Sequence, residues 1–247
     1  MNKQIAGALI SVKRITLCAT AITVLIMGQV GCQKPPTRRE VRQDKRLEEM
    51  KKALVSDGSL EERLIAAERL ANMGAKAAGA AAAIIQVMGN DNDTEELRAH
   101  AVWALGKIFK STEGSTLEVP DMVVSALQKA LKDPSDLVRI RAVLSKARIF
   151  PDQEPEMEIL LEMFDKNNDL KMEAARAAAC MGPRGKGAVP VLIRELKNTV
   201  VGYHAACALG KIGPGAKEAI PALTRVAGSG GQAGPAAREA IKLINEE

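Results

Sequence analysis

At 247 residues, with 47% hydrophobic and 26% charged side chains, the chain carries enough apolar surface for one or two packed domains, which excludes general disorder. Aromatic residues make up only 2% while alanine is abundant, so the core has to be built from small and aliphatic side chains that let helices approach closely. The net charge is +5, and a single Trp and a single Tyr weigh against nucleic acid as the partner.

In chain order, the first segment predicts export. Lys3, Lys13 and Arg14 precede an apolar run from Ile15 to Met27, which is shorter than the roughly 20 residues a membrane-crossing helix requires. The run leads into Gln29-Val30-Gly31-Cys32-Gln33. These residues resemble the lipobox of bacterial lipoproteins, although Gln29 stands where that motif usually has an aliphatic residue. The resemblance implies that residues 1–31 are a signal peptide, that Cys32 is lipidated with palmitate-type acyl chains, and that the protein is exported and held on the periplasmic or cell-surface side of a bacterial membrane. Residues 32–46 read as a tether, because residues 33–46 contain Pro35, Pro36, six basic residues and two acidic ones.

From residue 47 onward the sequence repeats. Taking Arg63, Arg98, Arg139, Lys171, Gly202 and Ala233 as starts, an alanine follows three residues later every time, at Ala66, Ala101, Ala142, Ala174, Ala205 and Ala236. Mostly apolar residues recur at offsets 7 and 10, on the same helical face as offset 3. Lys146 breaks this stripe, which makes the third repeat the least regular. Gly74, Gly182 and Gly213 follow at offset 11, where glycine is expected to end a helix in the left-handed conformation. Pro120, Pro190 and Pro221 mark the starts of the preceding helices. The segments from Ala101 to Ile108 and from Ala205 to Gly213 resemble the second helix of HEAT repeats, of the subgroup also found in phycobilisome lyases. The resemblance covers Leu47 to Ile244 and implies an all-α, right-handed α-solenoid of about six HEAT-like helical hairpins over residues 47–247. It also implies a role for the six-residue spacing of Asp57 to Arg63, Asn92 to Arg98, Asp133 to Arg139 and Asp165 to Lys171, as a ladder tying adjacent turns together. The last two repeats lack this pair and are expected to rely on Gly and Ala packing, with the C-terminal end prone to fraying.

Offsets 2, 5 and 9 of the second helices lie opposite the apolar stripe. The HEAT resemblance places them on the concave surface. The candidate partner-binding residues there are His100, Trp103, Lys107, Arg141, Arg148, Arg176, His204, Lys211, Arg238 and Lys242. Leu144, Glu173, Cys180, Cys207 and Pro235 occupy the same offsets. A positive stripe of this kind attracts an anionic ligand, with an acidic protein surface as the expected partner of a monomeric scaffold. The same positions equally suit the solvated side of an amphipathic helix, and the residues alone leave both readings open.

Catalysis, cofactors and metals are not expected. His100 and His204 lie three repeats apart, and no nucleophile with a paired base, phosphate-binding glycine loop or Cys-x-x-Cys motif occurs. The alternative is a chromophore-lyase-like or other small-molecule enzyme built on HEAT-like repeats. Cys180 and Cys207, on neighbouring second helices, read as separate thiols or as a disulfide, with helix spacing favouring the thiols.

Overall fold

A computed structural model describes residues 37–111, 117–229 and 231–246, so the segment read as an export signal, Cys32 and the start of the segment read as a tether lie outside the described residues. By internal contacts the chain divides into two units, residues 1–44 and 45–247, and the second holds the repeats. The described residues form α-helices and short 3-10 turns, with no strand among them.

The helices pair into six hairpins. These are α1 (Arg38–Val55) with α2 (Leu60–Met73), α3 (Ala81–Met88) with α4 (Glu95–Ile108), and α5 (Asp121–Ala130) with α6 (Asp136–Ile149). They continue with α7 (Met157–Met163) and α8 (Asn168–Met181), α9 (Val189–Glu195) and α10 (Gly202–Ile212), and α11 (Ile220–Ala227) and α12 (Ala233–Asn245). Each second helix packs on the second helix of the next hairpin, far more closely than consecutive first helices do. The product is an all-α solenoid with a continuous layer of second helices.

Local chemistry sets the boundaries. Ser59 caps α2 in a reciprocal box with Glu62, and Thr94 and Asn167 accept backbone N–H bonds at the starts of α4 and α8. Pro190 and Pro221 sit in the first turns of α9 and α11, where a missing N–H costs nothing, while Pro120 is the residue just before α5. Gly74, Gly182 and Gly213 end α2, α8 and α10 with φ of 56°, 56° and 70°. Their ψ values of −140°, −134° and −140° lie outside the left-handed helical region expected for them, in backbone space that is all but restricted to glycine. Each glycine opens a seven-residue 3-10 turn, Gly74–Ala80, Gly182–Ala188 or Gly213–Ala219, that feeds directly into the next helix.

Part of the segment read as a tether is helical: α1 begins at Arg38 and takes in residues 38–46. The physical reason is local: the Thr37 N–H donates to Glu40 at 2.6 Å while the Glu40 N–H donates to Thr37 Oγ1 at 3.3 Å, and no helix breaker follows Pro36.

The aligned alanines are buried at Ala66, Ala101, Ala142, Ala174 and Ala205, with Ala236 half-buried at the C-terminal end. Lys146 is accommodated by pairing with Glu156, in the irregular segment between α6 and α7. The buried side chains fall into two clusters, one running from Leu54 to Ile149 and the other from Ile140 to Ile244. Both draw on α6: Val138, Ala142 and Ile149 enter the first, and Ile140, Val143 and Leu144 the second.

Candidate protein-binding face of the second helices

The ladder is built from arginine forks that reach forward by one hairpin. Arg63 donates Nε to the Leu54 carbonyl at 2.9 Å and pairs with both carboxylate oxygens of Asp93, at 2.5 and 2.9 Å. Arg98 repeats the arrangement, with Nη1 on the Asp93 carbonyl at 2.8 Å and Nε and Nη2 on the Asp133 carboxylate at 3.2 and 3.0 Å. Asp133 raises the Arg98 guanidinium pKa above its ordinary value, chiefly through that hydrogen bond. Arg139 continues the ladder weakly, donating to the Asp133 carbonyl at 3.1 Å and reaching Glu162 at 3.4 Å. Lys171 reaches Glu195 at 3.1 Å.

Three proposed rungs are therefore corrected. Asp93 takes the place given to Asn92, because a rung requires a carboxylate and Asn92 is exposed, with its backbone N–H donating to Asn90 Oδ1 at 3.2 Å. Asp165 pairs with Arg194 at 3.3 Å, leaving Glu195 to meet Lys171. Asp57 is exposed in the first described hairpin, and no earlier hairpin among the described residues supplies an arginine.

On the free face of the second helices, α4 places His100, Trp103 and Lys107 together. His100 Nδ1 lies 2.8 Å from the Glu96 carbonyl and its ring meets the half-buried Trp103 edge-on at 6.3 Å. Lys107 Nζ stands 5.8 Å from the Trp103 ring centroid, within cation–π range. On α6, Arg141 and Arg148 are half-buried, while Leu144 between them is fully buried instead of sharing their exposure. Leu144 belongs to the second core cluster, which explains the departure.

Glu173 on α8 also departs from the expected open face. It is 8% exposed, and Oε1 accepts from Arg141 Nη2 at 3.0 Å and from Arg176 Nη1 at 3.3 Å. On α10, His204 is half-buried, and burial first and Arg176 second push its pKa below the ordinary value, against an opposing pull from Glu173. Cys180 and Cys207 are both free thiols. Lys211, Arg238 and Lys242 are exposed, with Arg238 Nη1 donating to the Ala227 carbonyl at 2.8 Å.

One residue of this face escaped the sequence pattern. Tyr203 is 46% exposed and stacks edge-on against His204 at 5.3 Å, while the neighbouring Cys207 thiol pushes its hydroxyl pKa up. It sits at offset 1, so only its being the sole tyrosine could have drawn attention to it. No grouping of three His, Cys, Asp or Glu side chains suited to a metal occurs among the described residues.

Residues 47–142 match the family model for HEAT repeats. Over that stretch the chain is similar to HEAT repeats. The matched stretch runs from α1 into α6, and the same hairpin architecture continues beyond it to α12. No curated protein matches the sequence at significant similarity. Among solved structures, the chain is similar to a designed armadillo repeat protein, at 21% identity and a TM-score of 0.51 over 81% of this chain and 100% of that one. It is also similar to an engineered protein solved as a structural-genomics target, at 23% identity and a TM-score of 0.54 over 80% of this chain and 96% of that one. These likenesses concern the fold. Repeat solenoids of this kind present extended surfaces of the sort on which proteins bind.

Proposed function

We propose that this protein is an exported, lipid-anchored scaffold that binds a protein partner of acidic surface along the free face of its second helices. The observation that carries this reading is the alignment of Lys107, Arg141, Arg148, Arg176, Lys211, Arg238 and Lys242 on one face of successive helices, beside the half-exposed Trp103. A row of cations on a continuous layer steers an anionic partner toward it, and a tryptophan flanked by a cation supplies the kind of anchor that dominates protein interfaces. The closer packing among second helices than among first helices supports reading their layer as the inner side of the curve. Attachment rests on Cys32 and its surrounding sequence, which lie outside the described residues.

The test is crosslinking in cells of the wild-type chain and of a variant carrying Arg141→Glu, Arg148→Glu and Arg176→Glu. Capture of an acidic partner by the wild type, reduced at least tenfold in the variant, supports the face. Equal capture removes it from the function. Labelling with a radioactive fatty acid checks the anchor, since incorporation is expected in the wild type and not in Cys32→Ala.

A further inference from the structure

Arg141 and Glu173 form a pair unlike the ladder rungs. Arg63 and Arg98 each grip an aspartate with two donors on two oxygens, the arrangement in which a guanidinium and a carboxylate are mutually satisfied. Arg141 uses Nη2 alone, and its Nε–H is buried with no hydrogen-bond partner. Glu173 offers Oε1 to two guanidinium groups while Oε2 is likewise buried and unpartnered. Two turns further along α6, Arg148 has a third such atom, Nη1. An unmet donor in a buried site is costly, so the cluster retains hydrogen-bonding capacity that a better-placed carboxylate could use. It also remains in excess positive charge, with Arg141, Arg176 and Arg148 on the same face as the one acid. Access is available from one side, since the Arg176 side chain is 44% exposed against 16% for Arg141 and 10% for Glu173.

We propose that Glu173 is an internal stand-in for the partner: its carboxylate holds Arg141 and Arg176 in the unbound protein, and an aspartate or glutamate side chain of a docking acidic segment displaces it. This rests on the binding-face reading and adds a form of regulation to it. Glu173 pre-positions the arginines and at the same time competes with any weakly acidic ligand, so a segment with several carboxylates in succession is selected over one with a single charge.

The experiment measures fluorescence polarisation of a labelled octaglutamate peptide on the full chain at low salt, with an octaglutamine peptide as control. Glu173→Gln is expected to bind octaglutamate about fivefold to tenfold more tightly than the wild type, because a competing carboxylate has been removed. Should Glu173→Gln fail to fold, Glu173→Asp keeps the charge but shortens its reach, and tighter binding than wild type is again expected. Affinity unchanged or reduced in the folded variant overturns the stand-in. If Arg141→Gln and Arg176→Gln weaken binding while the Glu173 variants change nothing, the binding face stands and the competition is wrong. If wild type and variants all bind octaglutamate no better than octaglutamine, both readings fall.

Discussion

His204 sits where burial and the Arg176 charge both oppose its protonation, with Glu173 pulling the other way less strongly. Its proton is therefore bound at lower pH in the folded chain than in the unfolded one, whose histidine titrates near 6.5. As pH falls through that value the unfolded state takes up a proton first, so stability declines; the loss stops once pH has dropped through the lowered folded value. Between about pH 7.5 and pH 5 the wild-type melting temperature is expected to fall more steeply than that of His204→Asn, and equal slopes would contradict this assignment. At this scale the sequence was partly legible. The offsets that put His204, Arg141 and Arg176 on one face are helical geometry, which periodicity reads directly. The Glu173 contact with Arg176 is an i,i+3 spacing within α8, but its contact with Arg141 depends on side chains from different helices meeting, which no spacing within one helix encodes.

The second helices themselves meet at glycines. A Cβ added to Gly106 on α4 would lie 2.8 Å from the Ser145 Cα on α6, whose hydroxyl donates to the Val102 carbonyl at 3.0 Å. One added to Gly210 on α10 would lie 2.9 Å from the Ala240 Cα on α12. Alanine is intrinsically better than glycine in a helix by about 1 kcal/mol. Here the obstructing atoms are backbone of a neighbouring helix, so the added methyl forces the helices apart, at a cost of about 1–3 kcal/mol. Gly106→Ala is accordingly expected to unfold at lower denaturant than the wild type, and a higher midpoint would show that α4 and α6 have room to part. The element pattern was the most legible level: alanine at offset 3, glycine at offset 11 and proline at helix starts each reflect one backbone requirement. The misreadings came where tertiary context overrides the period. Leu144 is the case in point, at an offset that is open elsewhere but covered by a core here.

For the molecule as a whole, α6 is the helix on which two cores converge, and the ladder is what crosses from hairpin to hairpin independently of them. Arg98 and Asp133 make its most enclosed rung, with side chains 9% and 11% exposed. Removing one member strands the other as an unpaired buried charge, a loss of about 3–5 kcal/mol. Arg98→Ala is therefore expected to lower urea stability by that order, with the N-terminal hairpins losing amide-exchange protection before those after α6. Uniform loss along the chain would show that the cores, and not the rung, couple the two halves. The existence of a ladder was implied by the HEAT resemblance of the spacing, but its exact acids were not legible, since Asn92 and Asp93 are adjacent and only geometry chooses between them.

The glycine-led 3-10 turns have a consequence for how such a chain can change in length. Gly74–Ala80, Gly182–Ala188 and Gly213–Ala219 have the same number of residues, open on the same rare backbone conformation and each run straight into the next helix. The stretch from one such turn to the next is a self-contained cassette, and duplicating the one that begins at Gly182 would add a further second helix, with its own His204, Cys207 and Lys211, in register with the rest. The length of the exposed face can thus be altered by copying whole cassettes that share one kind of joint, whereas the join that follows the α5–α6 hairpin does not open on such a glycine.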